Sequence, residues 1–80
     1  MSESAFAPKV IGVKQSRKAI LSGRASSVLL ADDADPMLTD LLAALCRERE
    51  IPVRRGCTME QLGAMGNISV GAAVITFLKD

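Results

Sequence analysis

Residues 10–18 read Val10-Ile11-Gly12-Val13-Lys14-Gln15-Ser16-Arg17-Lys18. A short β-branched run is followed by a glycine and then by polar and basic side chains, the pattern of a strand that turns directly into a helix. Lys14, Arg17 and Lys18 fall at i, i+3 and i+4, so one helical stripe carries three cations, while Ala19, Ile20 and Leu21 supply apolar contacts to the interior. The first turn of such a helix also has backbone N–H groups without helical partners, which favour an anion. In outline this is a helix N-terminus suited to phosphates and base edges. The plainer alternative is a simple strand-to-helix turn at Gly12 and a solvated helix surface at Lys14 and Arg17.

Working outward, Val10-Ile11 reads as a short strand, and Lys14 or Gln15 to about Leu21 as a helix stopped by Ser22-Gly23. Val28-Leu29-Leu30-Ala31 is a second strand, and its unbroken apolar character suits a strand covered on both sides. Asp35-Pro36 opens the next helix, with Asp35 able to cap free N–H groups and Pro36 tolerated where no N–H is needed. Leu38, Leu41, Leu42, Leu45 and Cys46 follow helical spacing to about Glu50, where Ile51-Pro52 redirects the chain. Val53-Arg54-Arg55 is a third strand. Thr58-x-x-Gln61 resembles a capping box for a brief helix bearing Met59 and Leu62, ended by Gly63 and Gly66-Asn67. The apolar run from Ala72 to Leu78 suits a central strand. This order predicts an α/β fold, a three-layer α-β-α sandwich with a four-stranded mixed sheet, or one that is largely parallel. Residues 1–8 form a short N-terminal segment and 9–80 a single domain.

The 80 residues are near the size where one core is only marginally sufficient. With two phenylalanines and no tryptophan or tyrosine, that core is built from Leu, Ile, Val, Ala and Met. The same scarcity argues against an RNA-recognition sheet or a single-strand stacking platform, since both stack bases on aromatic rings. The net charge of +1 conceals an uneven distribution. Five cations and no acid lie between Ser4 and Ala31, whereas six acids face two arginines between Asp32 and Glu50. The cysteines, Cys46 and Cys57, lack Cys-x-x-Cys spacing and the chain has no histidine, so no metal site is expected from them. Cys46 falls at a core position of its helix and reads as a buried free thiol. Asp32, Asp33 and Asp35 could suit a hard cation, but capping the Pro36 helix and fixing a turn explains them more cheaply. An enzyme using Asp32, Asp33 and a metal is a rival reading without a histidine or a substrate cleft to support it. Cys57 beside Arg54 and Arg55 could have a lowered thiol pKa, yet it too reads as structural. No segment has the apolar length of a membrane span and the start lacks a secretory pattern, so a reducing cytoplasm is expected.

The helix opening Gly12-Val13-Lys14-Gln15-Ser16-Arg17-Lys18 resembles the Gly-x-Asn-Glu-x-x-Lys of the kink-turn RNA-binding family of ribosomal proteins, of the L seven-Ae and L thirty-e type. The likeness continues in order through Ala31-Asp32-Asp33-Ala34-Asp35-Pro36, Leu45-Cys46, Ile51-Pro52-Val53, Leu62-Gly63 and Ile68-Ser69-Val70-Gly71-Ala72-Ala73. It covers almost the whole chain, and it is greatest to small stand-alone bacterial members with Lys-Gln in the motif. Family members usually have a fuller first helix before the strand.

The resemblance implies that the helix opening and the loop at Ile68–Gly71 lie side by side and grip a kink-turn, an RNA duplex bent at a short bulge beside tandem sheared G·A pairs. Such pairs expose base edges that ordinary A-form RNA hides. Lys14 and Gln15 occupy the positions that contact the guanines, and Lys18 that of the basic partner. Ile68, Ser69 and Val70 match the loop that meets the bulge nucleotides, although Val70 could instead pack under the sheet edge. Asp35 matches an acidic position near an extruded nucleotide. The RNA-binding residues expected are therefore Gly12, Val13, Lys14, Gln15, Arg17, Lys18, Asp35, Ile68, Ser69 and Val70. Gln15 offers a donor and an acceptor where the family has a carboxylate, and Lys14 offers donors only. The implied protein is non-catalytic, cytoplasmic and monomeric, needs no cofactor or metal, and has kink-turn RNA as its partner and the ribosome as a second. A ribosome-associated scaffold or a protein-interaction module without kink-turn specificity is the alternative.

Overall fold

The computed structural model describes residues 8–79, so the expected N-terminal segment, Pro8 excepted, lies outside the described residues. Seven elements follow one another: β1 (Lys9–Ile11), α1 (Val13–Leu21), β2 (Ala25–Ala31), α2 (Pro36–Glu48), β3 (Val53–Cys57), α3 (Met59–Met65) and β4 (Val74–Leu78). The strands form one four-stranded sheet in the order β1-β4-β2-β3. The α/β sandwich with a mixed sheet is as expected, and the largely parallel alternative is wrong. Only β2 and β3 run parallel, while β4 is antiparallel to both β1 and β2. Residues 58–73, which include α3, leave the sheet where β3 ends and return at that same end instead of carrying the chain back along it. The chain re-enters at the end where β2 finishes, with the Ala31 N–H donating to the Ala73 carbonyl at 2.9 Å.

Several boundaries differ from the sequence reading. β2 begins at Ala25, three residues early, because Ala25 pairs with Leu78 and Ser27 with Phe77 across β4, with an irregularity between them. Tertiary pairing here overrides the weak strand preference of Ala-Ser-Ser. β3 continues through Gly56 and Cys57, where Cys57 pairs with Ala31. α2 ends at Glu48; Glu50 takes a positive φ of 57°, and the Ile51 N–H returns to the Cys46 carbonyl at 2.8 Å. Gly63 does not end α3 but lies buried inside it.

The sheet separates two apolar layers. On the side of α1 and α2, Ile20, Val28, Leu30, Leu42, Cys46 and Val74 pack together; on the side of α3, Ala31, Ala34, Leu62, Ala72 and Ile75 do so. Val74 and Ile75 belong to different layers, as strand alternation requires of a strand covered on both faces. Leu21 and Leu41, assigned to the interior by spacing, are instead 43% and 64% exposed. Cys46 is fully buried, and desolvation raises its thiol pKa above the ordinary 9.0.

Candidate nucleic-acid interface

Gly12 stands between β1 and α1 with φ 101° and ψ 162°. A Cβ there would meet nothing within 4 Å, so the demand for glycine is conformational: L side chains rarely adopt this backbone geometry. Its N–H donates to the Val74 carbonyl at 3.0 Å, and its own carbonyl accepts from Ser16 N–H at 3.0 Å. These bonds tie the start of α1 to the central strand. No side chain caps the helix and its first turn holds no acid, so nothing on α1 itself competes for an incoming anion.

Along α1, Ser16, Ala19 and Ile20 face the interior, and Lys14, Gln15, Arg17 and Lys18 are exposed. The three cations do not line a common groove. Arg17 sits with half-buried Val13 beside Leu38, Leu41, Leu42 and Leu45, in an apolar groove of about 410 Å³ toward α2. Gln15 and Lys18 line a separate depression with Val10 and Leu78, toward the β1 edge. Successive residues step about 100° around a helix of 3.6 residues per turn, which puts Arg17 and Lys18 on opposite sides of the crest that carries Lys14.

The loop after α3 is the second part of the interface. Ile68 is 38% and Val70 68% exposed, which overturns the alternative that Val70 packs under the sheet edge. Together with Ser69, Asp33, Met59 and Glu60 they border an open depression of about 480 Å³. Glycines allow the loop to close on α3. A Cβ on Gly63 would collide with the Val70 carbonyl, and one on Gly71 would press on Met59 at 3.1 Å. Ile68 N–H donates to the Gly63 carbonyl, and Ala72 N–H to the Met59 carbonyl, each at 3.0 Å. Gly66 in turn abuts the Ile11 side chain, immediately before Gly12. The residues that precede the helix opening and the loop, Ile11 and Gly66, are thereby in contact.

Asp35 is not part of that depression. Its Oδ1 accepts from Met37 N–H at 3.0 Å, capping α2. The neighbouring acids are committed to backbone amides as well: Asp32 Oδ1 accepts from Gly56 N–H at 3.0 Å, and Asp33 Oδ1 from Met59 N–H at 2.7 Å. Asp33, which the sequence reading left out of the interface, borders the depression beside Val70, as Glu60 does. Its partner lies 26 residues away, so no local pattern marks it.

A match to the ribosomal protein L7Ae/L30e/S12e/Gadd45 family spans residues 9–80, and the chain belongs to this family. Among individual relatives, the RNA-binding protein YbxF of Geobacillus stearothermophilus is 37% identical over 70 residues, which are 88% of this chain and 85% of that protein. An RNA-binding protein of Caldanaerobacter subterraneus subsp. tengcongensis is 36% identical over 73 residues, 91% of this chain and 89% of its own. Among solved structures, the 15.5kD RNA binding protein of Giardia lamblia matches 96% of this chain with a TM-score of 0.84 and 28% identity. The chain spans 64% of that protein's length. A protein of unknown function from Bacillus halodurans C matches 89% of this chain at a TM-score of 0.81 and 25% identity, over 71% of its own length.

Proposed function

We propose that the protein binds RNA and, more specifically, recognises a kink-turn and stabilises its bent form. The protein is not an enzyme; its family is that of the ribosomal proteins L7Ae, L30e and S12e and of Gadd45, and the relatives named above are RNA-binding proteins. The observation that carries the finer reading is the juxtaposition of two exposed surfaces of different chemistry. Lys14, Gln15 and Lys18 present hydrogen-bonding and cationic groups on α1, and Ile68, Ser69 and Val70 present a mostly apolar loop, joined through Ile11 and Gly66. The first surface suits guanine edges and phosphates, and the second suits unstacked bulge nucleotides.

Binding acts by population shift. The protein holds the kinked RNA more tightly than the extended duplex and moves that equilibrium without chemistry. A carboxylate at the position of Gln15 would accept guanine N–H more strongly, and the added charge of Lys14 offsets that loss at the cost of greater salt dependence. Ribosomal and regulatory RNAs are both proposed targets, met in the cytoplasm by a monomer. No helix of the described residues is long and apolar enough to cross a membrane.

The test is a mobility-shift titration at fixed near-physiological salt. One probe is a kink-turn duplex; the other is the same duplex with its sheared G·A pairs replaced by Watson–Crick pairs. Tight binding to the first alone is expected. Equal binding to both, or none, would leave the fold serving another partner.

A further inference from the structure

The cationic character of α1 continues past its C-terminus. The depression on the β1 side, about 190 Å³ in volume, has Gln15, Lys18 and Ser22 along one wall and Arg24, Val10 and Leu78 along the other. Gln15, Lys18 and Ser22 stand at i, i+3 and i+7, a single line down the helix. Arg24 is exposed and follows the turn at Gly23, where φ is 78°. Lys79 adjoins it, its N–H donating to the Arg24 carbonyl at 2.7 Å. Among the described residues the lining contains no acidic side chain, and its apolar members offer a bed for the stems of Lys18 and Arg24 while their charged ends stay in water.

We propose that this groove holds the phosphate backbone of a duplex arm that continues from the kink, with Arg24 as an anchoring residue and Lys79 as its outer neighbour. The inference rests on the reading of Gly12–Lys18 as the RNA-binding helix. Three features favour a phosphate backbone over other ligands. The charged groups are donors without acceptors, and a guanidinium pairs with phosphate oxygens through two parallel N–H bonds. Among the described residues the groove has no aromatic ring on which a base could stack. It also shares Gln15 and Lys18 with the base-reading surface, so the anion nearest to it when RNA is bound is the RNA's own backbone. The site extends α1 from a short base-reading element into a rail along one strand, and the rail adds affinity without sequence information.

The experiment compares wild type with Arg24→Gln, and with Arg24→Gln combined with Lys79→Gln, in titrations over a range of salt concentrations. The probes are a kink-turn with long arms, two kink-turns each with one arm shortened, and the long-arm duplex without G·A pairs. Arg24→Gln is expected to weaken binding to the long-arm kink-turn several-fold and to reduce the salt slope by about 0.7–0.9, the value for one phosphate contact. Its preference for the kink-turn over the Watson–Crick duplex is expected to stay that of wild type. Shortening the correct arm should erase the difference between variant and wild type. Arg54→Gln, an equal loss of charge on β3 at the opposite edge of the sheet, serves as the control. The proposal is overturned if Arg24→Gln binds as wild type does while Gln15→Ala loses binding, a result that leaves the kink-turn reading intact. It is overturned as well if Arg54→Gln matches Arg24→Gln. Absence of any kink-turn preference in wild type would defeat the kink-turn reading itself, and this proposal with it.

Discussion

Gln15 is the one exposed side chain of the helix opening that can both donate to and accept from a base edge, since the Ser16 hydroxyl is buried. Gln15→Ala is therefore expected to cost about 1–3 kcal/mol in binding to a kink-turn duplex and to narrow its preference over a Watson–Crick control, measured by titration. Arg17 points the other way, toward α2, and Arg17→Ala is expected to lower the salt slope while leaving that preference intact. Gln15 was legible in the sequence because its place in a local motif defines it. Asp33 was not, because its bond to Met59 exists only once β2 and α3 have come together. Buried hydroxyls were equally hidden. Thr76 Oγ1 and Ser16 Oγ are enclosed with no hydrogen-bond partner. Replacing Thr76 with valine keeps the shape and removes the unpaired group, so Thr76→Val is expected to raise stability by about 1 kcal/mol in denaturant unfolding.

At the scale of elements, α3 carries a burden out of proportion to its 7 residues. A helix this short does not persist alone in water. It is held by a capping box in which Thr58 Oγ1 accepts from Gln61 N–H at 3.1 Å and Gln61 Oε1 from Thr58 N–H at 2.9 Å. Thr58→Ala is expected to cost about 1 kcal/mol of stability. Because the Ile68 amide bonds to Gly63, the same change should speed hydrogen exchange at Ile68 more than in β2. The capping box was readable from Thr58-x-x-Gln61, since both partners lie within one turn. Gly63 was misread as a helix stop because its reason for being glycine, the Val70 carbonyl, belongs to the loop that follows. The start of β2 was missed on similar grounds: its partners Leu78 and Phe77 come from the other end of the chain.

For the whole molecule, the alternation of strand and helix was legible from apolar runs and their punctuation, and the run at 72–78 marked a central strand, whereas nothing local names β1 and β2 as the neighbours of β4. The buried thiol of Cys46 links the core to pH. Below 9.0 both folded and unfolded chains keep its proton; above that value the unfolded chain ionises first, because burial raises the pKa of the folded state. Stability is therefore expected to fall as pH rises beyond 9.0, and Cys46→Ala, though less stable at neutral pH, should lack this contribution to the decline in thermal melts.

The place of β4 has a further consequence, for the order of events during synthesis. It is made after the other three described strands, yet it is the neighbour of both β1 and β2. Until residues 74–78 are available, β1 has no strand to pair with, and the Gly12 amide lacks the Val74 carbonyl that fixes the start of α1. An unfinished chain can form the β2-α2-β3 unit but not the surface that would meet RNA. Completion of the sheet and acquisition of that surface are thus one event, long-range in sequence, which favours slow folding and keeps a nascent chain from engaging a target before β4 has been made.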